Sequence, residues 1–119
     1  MSTSKPSVTA ALHVSELRAG EETIAFHRES LVFDCLSLYY ILDEPYTERV
    51  LQAGVDVANV TISSERENWD DFLRRFETAF EKIETNPSLV LATCSDDVIA
   101  AKKAGKLAII PGTQGSSMI

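Results

Sequence analysis

The chain has 119 residues, 45% of them hydrophobic, which is enough for one domain to bury a core and too apolar for a disordered tail. Its 18 acidic and 11 basic residues leave a net charge of -7, which argues against nucleic acid as a partner, because phosphate-backbone binding relies on clustered Lys and Arg. No apolar run approaches the roughly 20 residues of a membrane span, and the polar start Met1-Ser-Thr-Ser-Lys-Pro lacks the apolar segment of a secretory signal, so a cytoplasmic protein with no membrane partner is expected.

Residues 1–22 carry Ser, Thr, Pro and charge with scattered apolar positions and read as an N-terminal arm, leaving 23–119 as the domain. Glu22 to Ser30 reads as a helical turn or loop. Leu31 to Leu42 begins as an apolar, aromatic-rich segment of the kind buried on both faces of a parallel sheet, and Pro45 ends it. Tyr46 to Ala53 is a short helix stopped by Gly54, the residue most easily placed in the left-handed conformation. Val55 to Ile62 alternates and is rich in β-branched residues, as a second strand should be.

Ser64 followed by Glu67 predicts a capping box opening a long helix. Within that helix Trp69, Phe72, Leu73, Phe76, Ala79, Phe80 and Ile83 share one face, a stripe expected to face the core and not to form a ligand platform. Leu89 to Thr93 is a third strand, Ser95-Asp-Asp97 an N-cap with an acidic first turn, and Gly105 the end of a helix through Lys103. Lys102, Lys103 and Lys106 then complement that helix's C-terminal dipole. Leu107 to Ile110 is a fourth strand, and Pro111 to Ser117 a loop after it. This order predicts an α/β fold of strand-helix repeats around a mostly parallel sheet with right-handed crossovers.

In such sheets chemistry gathers on loops after strand C-termini, which singles out Asp34 to Leu38 and Gly112 to Ser116. Neither loop contains a histidine; His13 and His27 lie upstream of the first strand, without an adjacent carboxylate cluster, and read as surface or helix-end residues. Cys35 and Cys94 lie beside or inside predicted buried strands and read as reduced core thiols. A nucleophile pair of Cys35 with His27 has no support in their spacing. Gly112-Thr-Gln-Gly115 lacks the Lys-Ser/Thr of a phosphate-binding Walker loop and reads as a turn.

From Leu31 onward, about three quarters of the chain, the sequence resembles the N-terminal part of the membrane (renal) dipeptidase family, zinc peptidases with an amidohydrolase-type TIM barrel. The stretches that carry the resemblance are Val32-Phe-Asp34, Leu51-Gln-Ala-Gly-Val-Asp56, and Ser95 to Ile110 leading into Gly-x-Gln-Gly at Gly112 to Gly115. In that family the first strand ends in an Asp-Gly-His-Asn-Asp type motif, whose His and second Asp hold zinc, and the later strand ends in Gly-x-Glu-Gly, whose Glu bridges two metals. By that resemblance Asp34 and Cys35 stand at the Asp-Gly, Leu36 at the histidine, Leu38 at the aspartate, and Gln114 at the bridging glutamate.

The resemblance implies a fold like the first half of a TIM (β/α)8 barrel and a family reaction of zinc-dependent dipeptide hydrolysis. A whole barrel takes about 250 residues, and the family's remaining ligands come from later strands, so either the chain is a fragment, or another chain completes the sheet, or the four strands close into a smaller sandwich of helices around an open sheet. A homo-oligomer or a second chain that completes the sheet is the partner expected. Leu offers no lone pair and neutral Gln lacks the charge to bridge two cations, so neither zinc nor catalysis is expected of this chain alone. The alternative is a non-catalytic small-molecule-binding or assembly subunit, with Asp34, Leu36, Leu38 and Gln114 as binding positions and a pocket made apolar by Leu36, Leu38 and Tyr39. A cysteine-based enzyme acting through Cys35 is a third reading.

Overall fold

The sheet is organised around β2 (Val57–Ser63), in which Val57, Ala58, Val60, Ile62 and Ser63 are all buried. A strand buried on both faces needs neighbours on both edges and helices on both sides, and β2 has them. In the computed structural model, which describes residues 19–63 and 66–116, the other elements are α1 (Glu21–Glu29), β1 (Phe33–Ser37), a 3-10 turn (Tyr39–Leu42), α2 (Tyr46–Gln52), α3 (Trp69–Thr85), β3 (Leu89–Leu91), α4 (Ser95–Lys103) and β4 (Leu107–Thr113). The four strands form one parallel sheet in the order β1-β2-β4-β3. The α/β parallel sheet expected from the strand-helix repeats is thus the fold of the chain. No described helix is long and apolar enough to cross a membrane.

The strand order explains which face each helix covers. Passing from β2 to β3 the chain skips one position outward, and from β3 to β4 it steps back into the gap. Right-handed crossovers taken in opposite directions put their helices on opposite faces. Accordingly α3 packs Ala79 and Ile83 against Ala58, Val60, Ile62, Leu107 and Ile109, joined there by Ile41 and Leu42 of the 3-10 turn. On the other face α4 packs Val98 and Ala101 against Val57, Ala92 and Ala108. Four successive barrel strands would run β1-β2-β3-β4; here β3 lies outside β4.

β3 pairs only with Leu107 to Ile109, so from Ile110 to Thr113 β4 has a described neighbour on the β2 side alone. That lone-sided stretch accommodates Pro111, which has no N–H to give to a ladder, and it carries the strand three residues past Ile110 into the segment expected to be loop. β1 is an edge strand, paired with β2 and mostly exposed, so Leu31 to Leu42 is not a strand buried on both faces. Only Phe33–Ser37 is extended there, and the apolar residues after it turn into the core as Ile41 and Leu42.

Two helix starts also differ from expectation. Ser64 lies outside the described residues; α3 begins at Trp69, its first turn capped by the Asn68 side chain, which accepts the Asp71 N–H at 2.9 Å. Glu67 pairs with Arg75 at 2.8 Å. Ser95 is the first residue of α4 and not its cap; Cys94 holds the cap position without a side-chain bond. The Asp97 carboxylate reaches back to accept the Thr93 N–H at 2.9 Å and the Thr93 hydroxyl at 3.0 Å. The aromatic stripe of α3 is only partly core: Ala79 and Ile83 are buried, whereas Trp69, Leu73 and Phe80 are exposed, Trp69 by 51%. A helix of 17 residues is about 25 Å long, and the three-residue β3 beneath one side spans about 10 Å, so the first turns overhang the sheet.

The N-terminal ends of the strands are tied by one carboxylate. Asp56 accepts the Val32 N–H and the Lys102 ammonium, both at 2.8 Å, and Lys102 also donates to the Ser30 and Arg28 carbonyls at 3.0 and 3.3 Å. Nearby, the His27 Nε2–H donates to the Ala53 carbonyl at 2.8 Å and closes α2. The next residue, Gly54, has φ +85°, and a Cβ there would lie 2.5 Å from His27 Nε2, so both the backbone and the space require glycine.

Replacing Lys102 with Met keeps the aliphatic stem and removes every one of these donors. We expect a loss of about 1–3 kcal/mol, since a half-buried carboxylate and two carbonyls lose a partner; a lowered urea midpoint with unchanged slope is the expected reading. The Thr93 N–H, the Thr93 hydroxyl and the Cys94 side chain lower the Asp97 pKa from its ordinary value. Because the folded value is depressed, the stabilisation is complete above the ordinary aspartate range and fades as pH falls through the folded value. An NMR titration should place the Asp97 midpoint below that of a free aspartate, and Thr93→Val should move it back up.

Candidate functional site

The C-terminal end of β1 is built around a bulge. Asp34 lies opposite Ala58 and Ser37 opposite Val60, so three steps along β1 match two along β2. Such an insertion bends a strand and re-aims its side chains. The Asp34 carboxylate holds the bend closed by accepting the Leu36 N–H at 3.1 Å and the Ser37 hydroxyl. The 3-10 turn that follows is fixed from below: Thr47 donates to the Ile41 carbonyl at 2.6 Å, and the Asn86 amide donates to the Leu42 carbonyl at 3.3 Å and to the Thr47 hydroxyl at 3.2 Å.

Between this turn and α2 lies an open groove of about 440 Å³. Its walls are Asp34, Leu36, Leu38, Tyr40, Tyr46 and Arg49, and Ile41, Val50 and Val55 also line it. Leu36 and Leu38 are 63% and 56% exposed, although the strand-end position usually buries such residues. Tyr40 and Tyr46 meet edge-to-face at 4.9 Å, and the Arg49 guanidinium lies over the Tyr46 ring at 5.6 Å.

Of the four sequence-predicted positions, the structure brings Asp34, Leu36 and Leu38 together. Gln114 lies elsewhere: exposed beyond β4, it donates its N–H to the Ser63 carbonyl at 3.0 Å. With β2 between β1 and β4, two strand spacings, about 10 Å, separate the two strand ends. Tyr39 faces α3 instead of the groove, its ring 5.7 Å from both the Arg75 and the Lys82 cationic groups. Burial raises its phenol pKa, and the Lys82 charge opposes the shift.

Tyr40, Tyr46 and Arg49 are the groove residues that sequence reasoning missed. The spacing of three between Tyr46 and Arg49 on a predicted helix was a readable signal that the two share a face. The fold that turns Tyr40 toward them was not readable. Both cysteines are free and exposed, contrary to the expectation of core thiols: Cys35 sits in the bulge of an edge strand and Cys94 ahead of α4. His27 Nε2 is engaged by the Ala53 carbonyl, and His13 lies outside the described residues. Among the described residues no group of three or more His, Cys, Asp or Glu could hold a metal ion. The strand-end donor set does not fit zinc: the positions beside Asp34 are leucines, and the Asp34 oxygens are already taken by Leu36 and Ser37.

No family model matches the chain, and no curated protein matches it. Among solved structures, the crystal structure of an amidohydrolase from Pseudomonas aeruginosa superposes with a TM-score of 0.73 at 23% identity. The match covers 80% of this chain and 29% of that one, so the chain spans under a third of that protein's length. The likeness bears on the fold alone: over most of its length the chain shares an α/β arrangement of strands and helices with part of that structure.

Proposed function

We propose that this chain is a dipeptidase-like relative on the amidohydrolase-type fold whose strand-end site holds an apolar ligand without zinc and without hydrolysis. The observation that carries the reading is the end of β1, where Leu36 and Leu38 open into the groove and the Asp34 carboxylate is spent on its own loop. The metal chemistry of the resembled family needs a histidine and two carboxylates at the positions of Leu36, Leu38 and Gln114. Leucines there exchange a site suited to the charged ends of a dipeptide for one suited to an apolar group.

Assembly is a second reading, favoured by a different observation. The stretch Ile110 to Thr113 has a described partner on one side only, and Trp69, Leu73 and Phe80 stand exposed along α3. An unpaired strand edge beside exposed aromatic residues is what a second chain would cover in completing the sheet.

The catalytic question has a direct assay. Incubation of the purified chain with dipeptides, with and without added zinc, should give no hydrolysis that a chelator abolishes. Chelator-sensitive hydrolysis restored by zinc would overturn the proposal.

A further inference from the structure

The strand-end groove is apolar in its walls and has one free charge on its rim. Leu36, Leu38, Tyr40 and Tyr46 are all large, exposed hydrophobic residues, and they line a single depression. Its volume of about 440 Å³ is within the ~300–1,000 Å³ of small-molecule sites. Arg49 stands at the rim, exposed, with its guanidinium over the Tyr46 ring. The ion pairs of the described residues are Arg75 with Glu67, Lys82 with Asp43 and Lys102 with Asp56; none uses Arg49. An unpaired guanidinium is uncommon company for exposed leucine and tyrosine in a chain of net charge -7.

We infer that the groove binds an apolar monocarboxylate, with its hydrocarbon body against Leu36, Leu38 and the two tyrosines and its carboxylate on Arg49. This rests on the reading of the groove as a binding site and adds the class of ligand. A planar guanidinium presents two parallel N–H groups that match one carboxylate. Stacking on Tyr46 holds the plane while leaving its edges free to donate. A single cation suits one negative charge, and the Asp34 carboxylate, which also lines the groove, disfavours a second.

The test is a titration of the full, 15N-labelled chain with 4-phenylbutyrate, 4-phenylbutanol and 4-phenylbutylammonium, followed by amide NMR. The acid should bind most tightly and shift the amides of Leu36, Leu38, Tyr46 and Arg49. Arg49→Met should weaken the acid about tenfold, the scale of one charge-assisted bond at an exposed site, and leave the alcohol unchanged. Leu36→Asp should weaken both. Residues 36 and 49 are exposed, so both variants should keep the wild-type amide spectrum. Equal binding of acid and alcohol, or no effect of Arg49→Met, would overturn the carboxylate assignment and leave the groove an apolar site. Shifts confined to Trp69 and Phe80 on α3, or none at all, would overturn the groove itself. Neither result bears on zinc or hydrolysis, which the dipeptide assay reads separately.

Discussion

Asp56 joins several elements of the sheet through its backbone and its carboxylate together. Its backbone N–H donates to Val32 and its carbonyl accepts from Ala108, which joins β1, β2 and β4 at their N-terminal ends. Its carboxylate takes the Val32 N–H and the Lys102 ammonium, which adds α4. Lys102 in turn satisfies the carbonyls at the end of α1. The strands β1, β2 and β4 and the helices α4 and α1 are thereby indexed to one another. α1 needs the link most, because it buries no residue and is held by polar contacts through Arg28, Ser30 and His27.

With the N-terminal ends tied in this way, the opposite ends of the strands are free to differ. There the sheet loses β3 after three residues, β1 bulges, and the aromatic turns of α3 project past the strands. The two ends follow the division of labour seen in α/β sheets and barrels, where one end holds the fold and the other carries the loops that meet ligands. What is unusual is the chemistry at the open end. This strand terminus presents two leucines and two tyrosines, and its one carboxylate stabilises its own bend. Arg49 is the cationic group that lines the groove.

Much of the fold was legible in residue pattern because its signals are local. Val55 to Ile62 announces β2 by β-branched alternation, Gly54 and Gly105 mark helix ends, and the 3.6 period from Trp69 to Ile83 marks α3. What failed depended on neighbours. Leu31 to Leu42 is as apolar as a central strand, yet β1 is an edge, and no pattern within a strand reveals how many strands lie beside it. For the same reason Cys35 was taken as core and is exposed. The stripe on α3 has the period of a buried face, and its exposure at Trp69 arises from the shortness of β3, a feature of another segment. At the site, the sequence singled out Leu36 and Leu38, and the structure places both along one groove. The separation of Gln114 from them was not readable, because it follows from β2 lying between β1 and β4.

The proposal at the centre is that this strand end holds an apolar ligand and no metal. Native mass spectrometry of the purified chain after exposure to zinc addresses it most directly, because it reports bound metal and subunit number in one spectrum. The account predicts chains free of zinc, as monomers or as assemblies that cover the open edge of β4 and the exposed face of α3. Two zinc ions retained per chain, or per pair of chains, would contradict it and show that ligands other than Leu36, Leu38 and Gln114 build a metal centre.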